Sequence, residues 1–158
     1  MLTECSAGAQ RLVASNDVSF SEELQPGLPP VFADKERVTQ ALLSLIARAV
    51  DVAERGTIRL RAGRLAAGDG RPAALEVRII DADRLIPASR RRVLARVWRA
   101  SRAGDTAAPG ELGPMALGLA LARRIVSLHG GEVRVAEGAE DPSLFVVTLP
   151  LDARDSSA

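Results

Sequence analysis

Apolar residues recur along the chain with two different periods, and each change of period marks an element. Val38, Ala41, Leu42, Leu45, Ile46, Ala49 and Val52 keep a helical stripe, with Asp34 placed as N-cap and Gly56 as the stop signal. From 57 to 64, Ile58, Leu60 and Ala62 alternate with Thr57, Arg59 and Arg61. Leu75, Val77 and Ile79 alternate again up to Asp81, so the glycine-containing segment 63–72 is expected to join two half-buried antiparallel strands. Val18 and Phe20 predict a short strand before the rigid Pro26-Gly27-Leu28-Pro29-Pro30. Pro87 opens a short helix over about 88–99, with Val93, Leu94 and Val97 inward. Residues 100–113 have no period and read as a loop. Residues 115–128 form another helix, stopped by Gly130-Gly131, and 132–136 and 144–149 close the chain as strands. Residues 2–14 carry only a weak helical spacing, and the chain from Asp152 is polar. Helices and antiparallel strands in separate runs predict the α+β class: a two-layer sandwich, with a mixed, mostly antiparallel sheet of about five strands packed by three helices.

Composition narrows what such a fold could do. Aromatic residues make up 3% of the 158 and tyrosine is absent, so the core is aliphatic and platforms for stacking bases are excluded. The lone cysteine, Cys5, forbids an internal disulfide and any cysteine-based zinc site. A formal net charge of +1 supplies no bulk field toward nucleic acid or membrane. No apolar run approaches a membrane span and no signal peptide opens the chain, so one domain of a reducing, cytoplasmic compartment is expected. Arg90, Arg91, Arg92, Arg96, Arg99 and Arg102 form the one charge cluster. It reads either as the solvent face of a short helix or as a surface for an acidic partner or nucleic acid; the balanced net charge favours the solvent face.

With certain junction residues, this order resembles the catalytic ATP-binding domain of sensor histidine kinases, in the GHKL (Bergerat) ATPase superfamily. The residues that carry the likeness are Leu28-Pro29-Pro30-Val31-Phe32-Ala33-Asp34 with Arg37 and Gln40, the helix that follows, and Asp81 at a strand end. Leu117-Gly118-Leu119-Ala120, Ile125 to Gly131 and the closing Phe145-Val146-Val147-Thr148-Leu149-Pro150 complete it. The resemblance implies a Bergerat fold over 17–151 with an ATP lid at about 100–113. Residues 1–16 would be a linker or helix tail from a missing dimerisation domain, and 152–158 a polar tail.

The resemblance also assigns a nucleotide site, from which this sequence departs. Family members carry two asparagines four residues apart on the long helix, the second holding the magnesium that bridges the phosphates; Ser44 and Arg48 stand there. Serine is a weak ligand and a guanidinium has no lone pair, so Mg²⁺ lacks its usual ligand and no metal residue is assigned. Asp51 replaces a phosphate-contacting lysine. Arg48 either grips a phosphate bidentately or forms an exposed i, i+3 pair with Asp51. Asp81 matches the carboxylate that accepts from the adenine amino group; otherwise it is a turn residue in Asp81-Ala82-Asp83. Asp83 and Leu85, before Ile86, replace glycines, which predicts a reshaped pocket. Gly118, between Leu117 and Leu119, remains from a glycine-rich box, with Gly113 one place out of register and Pro114, Met115 and Ala116 ahead of it. It serves either phosphate at a helix N-terminus or close helix–sheet packing. Trp98 replaces a lid-flanking phenylalanine and is expected to pack. His129 matches the family's structural histidine, because the phosphorylated one lies on the dimerisation hairpin. The implied function is ATP-dependent phosphorylation of a histidine on that hairpin, with a response regulator as a further partner and with no nucleic-acid or membrane contact. No catalytic nucleophile is required of this chain, and Ser44 in place of a water-activating glutamate predicts little free hydrolysis. The alternative is a pseudokinase that keeps the fold as a regulatory surface.

Overall fold

A computed structural model describes residues 1–102, 114–137 and 140–151. The helical stripe forms α2 (Lys35–Val52), whose N-cap Asp34 accepts a hydrogen bond from the Arg37 N–H at 3.0 Å. The alternating segments form β2 (Gly56–Leu65) and β3 (Ala74–Asp81), antiparallel, with Leu60 opposite Ile79 and Ala62 opposite Val77. Three elements flank these on the N-terminal side or follow them: α1 (Leu2–Val13), β1 (Val18–Leu24) and α3 (Ala88–Arg102). The chain closes with α4 (Pro114–Leu128), β4 (Glu132–Val135) and β5 (Ser143–Pro150). The five-stranded sheet runs β1-β2-β3-β5-β4, with β1 and β2 parallel and every other neighbouring pair antiparallel. The parallel pair follows from connectivity, since α2 carries the chain across the sheet between the two strands.

The α+β class and the mixed sheet are as expected, with a fourth helix added. Cys5, Ala9 and Val13 of α1 join the core cluster. Gly8 brings α1 so close to α2 that a Cβ there would sit 2.8 Å from Leu43 Cδ2. Burial pushes the Cys5 thiol up to about 12, so it stays protonated at neutral pH. β1 runs beyond Phe20 because it pairs with β2 through Leu24, opposite Ala62. α3 runs past 99 because Ser101 is buried and takes a bond from Arg123 to its carbonyl. Trp98 packs as expected, edge-on to Phe145 with ring centroids 6.4 Å apart. The ATP-lid reading falls mostly on 103–113, and Gly113 and the tail from 152 likewise lie outside the described residues.

Candidate nucleotide-binding site

The stripe that buries one side of α2 leaves Ser44, Arg48 and Asp51 on another, at i, i+4 and i+7. A groove of about 800 Å³ runs beside Ser44 and Arg48, and Gly118 near the start of α4 lines it as well. α1 supplies the third wall through Gly8 and Arg11. Among the described residues a Cβ on Gly118 would meet nothing within 4 Å, so helix–sheet packing does not call for a glycine there. Its neighbours diverge: Leu117 is exposed and Leu119 is buried in the core. Within the groove, the Ser44 hydroxyl donates back to the Gln40 carbonyl at 3.0 Å. Arg48 pairs with Asp51 at 3.1 Å, on side chains that are 24% and 46% exposed. A pair that wet is worth at most about 1 kcal/mol and can be exchanged for a better anion.

Mg²⁺ does not fit these residues. Serine is the only oxygen donor at the two positions the resemblance assigns to this role, and its hydroxyl is turned to the backbone of its own helix. Among the described residues no group of three or more His, Cys, Asp or Glu could hold a metal ion.

Asp81 sits elsewhere. The alternation that buries Leu75, Val77 and Ile79 carries it onto the same face, where it is 2% exposed. Its Oδ1 accepts from the Leu85 N–H at 3.1 Å, and its Oδ2 accepts from the Ile86 N–H at 2.9 Å and from Arg91 at 3.3 Å. Three of about four lone-pair positions on the carboxylate are thereby taken. Arg84 closes this turn at φ 55°. Asp83 and Leu85 lie over Gly56, itself at φ 95°, where a Cβ would meet Leu85 Cδ1 at 3.0 Å and Asp83 Oδ2 at 3.2 Å. Ile86 is buried. The structure thus brings Ser44, Arg48 and Gly118 to one groove, whereas Asp51, Asp81, Asp83, Leu85 and Ile86 do not line it.

Sequence reasoning missed Arg91, which it placed within a solvent-facing cluster. Besides Asp81, its guanidinium donates to the carbonyls of Asp141 at 3.0 Å, Pro142 at 3.2 Å and Ser143 at 3.4 Å. The signal was present in the spacing, since Arg91, Leu94, Trp98 and Ser101 fall at i, i+3, i+7 and i+10 and the last three are buried. Arg90 is also engaged within the fold, donating to the Val52 carbonyl at 3.3 Å and pairing with the exposed Glu54.

His129 is held from both sides. Nε2 accepts the Asp34 N–H at 3.1 Å, which leaves Nδ1 as the protonated nitrogen donating to the Ile125 carbonyl at 2.8 Å. The ring therefore joins the end of α4 to the cap of α2. His129→Ala is expected to lower stability by about 1–2 kcal/mol, measurable as a shift in the urea midpoint.

Comparison with known proteins places this architecture. The sequence model of the family described as "Histidine kinase-, DNA gyrase B-, and HSP90-like ATPase" matches residues 33–153. The chain belongs to that family. It is 32% identical over 142 residues to the sensory histidine kinase/phosphatase NtrB of Rhodobacter capsulatus, covering 85% of this chain and 37% of that protein. To the adaptive-response sensory kinase SasA of Prochlorococcus marinus it is 30% identical over 138 residues, covering 85% and 34%. It thus spans about a third of the length of these relatives. Among solved structures, the mycobacterial sensor histidine kinase MprB superposes with a TM-score of 0.63 at 22% identity, over 94% of this chain and 95% of that one. The catalytic domain of the histidine kinase ThkA gives 0.58 at 20% identity, over 94% and 91%. Both share the fold of this ATPase-family domain.

Proposed function

We propose that this chain is the ATP-binding catalytic domain of a two-component sensor histidine kinase, presenting the γ-phosphoryl group to a histidine on a separate dimerisation domain. The observation that carries this reading is the groove shared by Ser44, Arg48 and Gly118 at the start of α4. A guanidinium freed from Asp51 can grip two phosphate oxygens at once, and Gly118, with no side chain, leaves the groove open beside it. Transfer of this kind depends on positioning and on charge neutralisation, so this chain contributes binding and orientation and no nucleophile. A response regulator would then receive the phosphoryl group. A cytoplasmic setting suits this role, and no helix among the described residues is long and apolar enough to cross a membrane.

A second reading, a pseudokinase module that keeps the fold and has lost transfer, is favoured by Asp81. A carboxylate bonded to Leu85, Ile86 and Arg91 offers little to an adenine amino group. Calorimetric titration of the chain with ATP and ADP, with and without Mg²⁺, separates the two. The kinase reading expects micromolar binding that is indifferent to Mg²⁺ and at least about tenfold weaker in Arg48→Ala, the scale of one charge-assisted contact. Silence at millimolar nucleotide under every condition would leave the pseudokinase.

A further inference from the structure

α3 carries six arginines and no acidic residue in fifteen positions. Arg90 and Arg91 are spent on the fold, as described above. The remaining four point outward: Arg92, Arg96, Arg99 and Arg102 are all exposed. Arg92, Arg96 and Arg99 fall at i, i+4 and i+7, so like charges stack along one face and repel. The only acid that answers them among the described residues is Glu137, paired with Arg99 at 2.8 Å on two side chains that are each 59% exposed. An exposed pair of that kind is screened and easily exchanged.

Beside this stripe lie two adjoining depressions of about 430 and 300 Å³ that share Arg99 and Glu137. Arg123 of α4 and Arg134 of β4 add positive charge to the larger one. Ala88, Ala95 and Ala136 line the smaller one, so a partner's backbone can approach closely. The net charge of the whole chain is only +1, so this is a local concentration offset by acids elsewhere. Such an arrangement steers an oppositely charged partner to one face.

We propose that the α3 face and its adjoining groove dock an acidic segment of a partner protein, one that carries carboxylates at helical spacing with small apolar residues between them. Two observations favour a protein over a nucleic acid. The one aromatic ring at the groove, Trp98, is 5% exposed and packed on Phe145, leaving no stacking platform. The alanines lining the smaller depression suit apolar side chains. The proposal does not depend on nucleotide binding.

The test is fluorescence anisotropy of a labelled peptide of about a dozen Glu, Ala and Leu residues, with Glu at i, i+4 and i+7, titrated with the full chain. Saturable binding is expected, weakening as NaCl is raised. Arg92→Glu with Arg96→Glu should weaken it by about tenfold or more, and Arg92→Gln with Arg96→Gln by less. Both pairs should keep the wild-type melting temperature, because these side chains are exposed. A peptide with Lys for Glu should not bind. Several outcomes would overturn the proposal: no saturation, binding that ignores the substitutions, full displacement by millimolar phosphate, or a single-stranded oligonucleotide of equal charge binding as tightly as the peptide.

Discussion

Arg91→Ala is expected to lower folding stability by about 3–5 kcal/mol, seen as a fall in the urea midpoint with an unchanged slope. Asp81 is 2% exposed and has no water to turn to when its partner is lost. Truncating Arg91 leaves a buried carboxylate supported only by the Leu85 and Ile86 N–H groups, and takes a donor from three carbonyls in the segment leading into β5. Arg91→Lys should recover only part of the loss, since an ammonium is a point charge and cannot reach acceptors spread around a planar fork. Adding Asp81→Asn to Arg91→Ala should cost less than the two single changes summed, because the uncompensated charge disappears with the carboxylate. A loss under about 1 kcal/mol for Arg91→Ala would mean the pair behaves as a surface ion pair. The result bears on function as well. The carboxylate that the family resemblance assigns to adenine is also the one that holds β3, α3 and the start of β5 together. Any loss of nucleotide binding in Asp81→Asn must therefore be read beside its melting curve.

Much of the fold was legible because the relevant signals are local and periodic. Val38 to Val52 could only be an amphipathic helix, and the alternation from Ile58 to Ala62 and from Leu75 to Ile79 fixed both strands and their inward faces. What escaped was decided by partners distant in sequence. Ser21, Glu22 and Glu23 look too polar for a strand, yet they pair with Arg59, Leu60 and Arg61 across a parallel ladder. α1 looks weak by itself because three of its four buried residues are small, Cys5, Gly8 and Ala9, and small residues matter only once α2 lies against them. The site shows the same division. The helical spacing of Ser44 and Arg48 placed them on one face without any tertiary information. The state of Asp81 depends on a turn through Arg84 at positive φ and on Arg91 ten residues on, hidden inside a run of arginines that reads as solvated.

Gly131→Ala is expected to cost roughly 3 kcal/mol, at the upper end for overpacking, whereas its neighbour Gly130→Ala should cost about 1–2 kcal/mol. A Cβ on Gly131 would lie 2.3 Å from the Thr148 carbonyl oxygen, 2.9 Å from Val126 Cγ1 and 3.0 Å from Leu149 Cδ2. The first of these is backbone. Thr148 sits in β5 between Glu76 of β3 and Glu132 of β4, so it cannot retreat without disturbing both ladders. Gly130 differs in kind: at φ 73° it needs a left-handed conformation, but its nearest contact would be Pro150 Cγ at 3.4 Å. Together the two glycines end α4 in a reciprocal cap, Gly131 N–H to the Val126 carbonyl and Gly130 N–H to the Ser127 carbonyl, each at 3.0 Å. For a chain of this size the difference should appear as a melting temperature several degrees lower for Gly131→Ala than for Gly130→Ala. Equal losses would mean that conformation, and not the approach to β5, explains the pair. The cap also shows why the resemblance was easy to see and the chemistry was not. His129, Gly130 and Gly131 are demanded by the joint between α4, the Asp34 cap and β5, whatever the groove binds. The residues facing the groove are under no such demand, and Ser44 and Arg48 stand where the resemblance implies two asparagines.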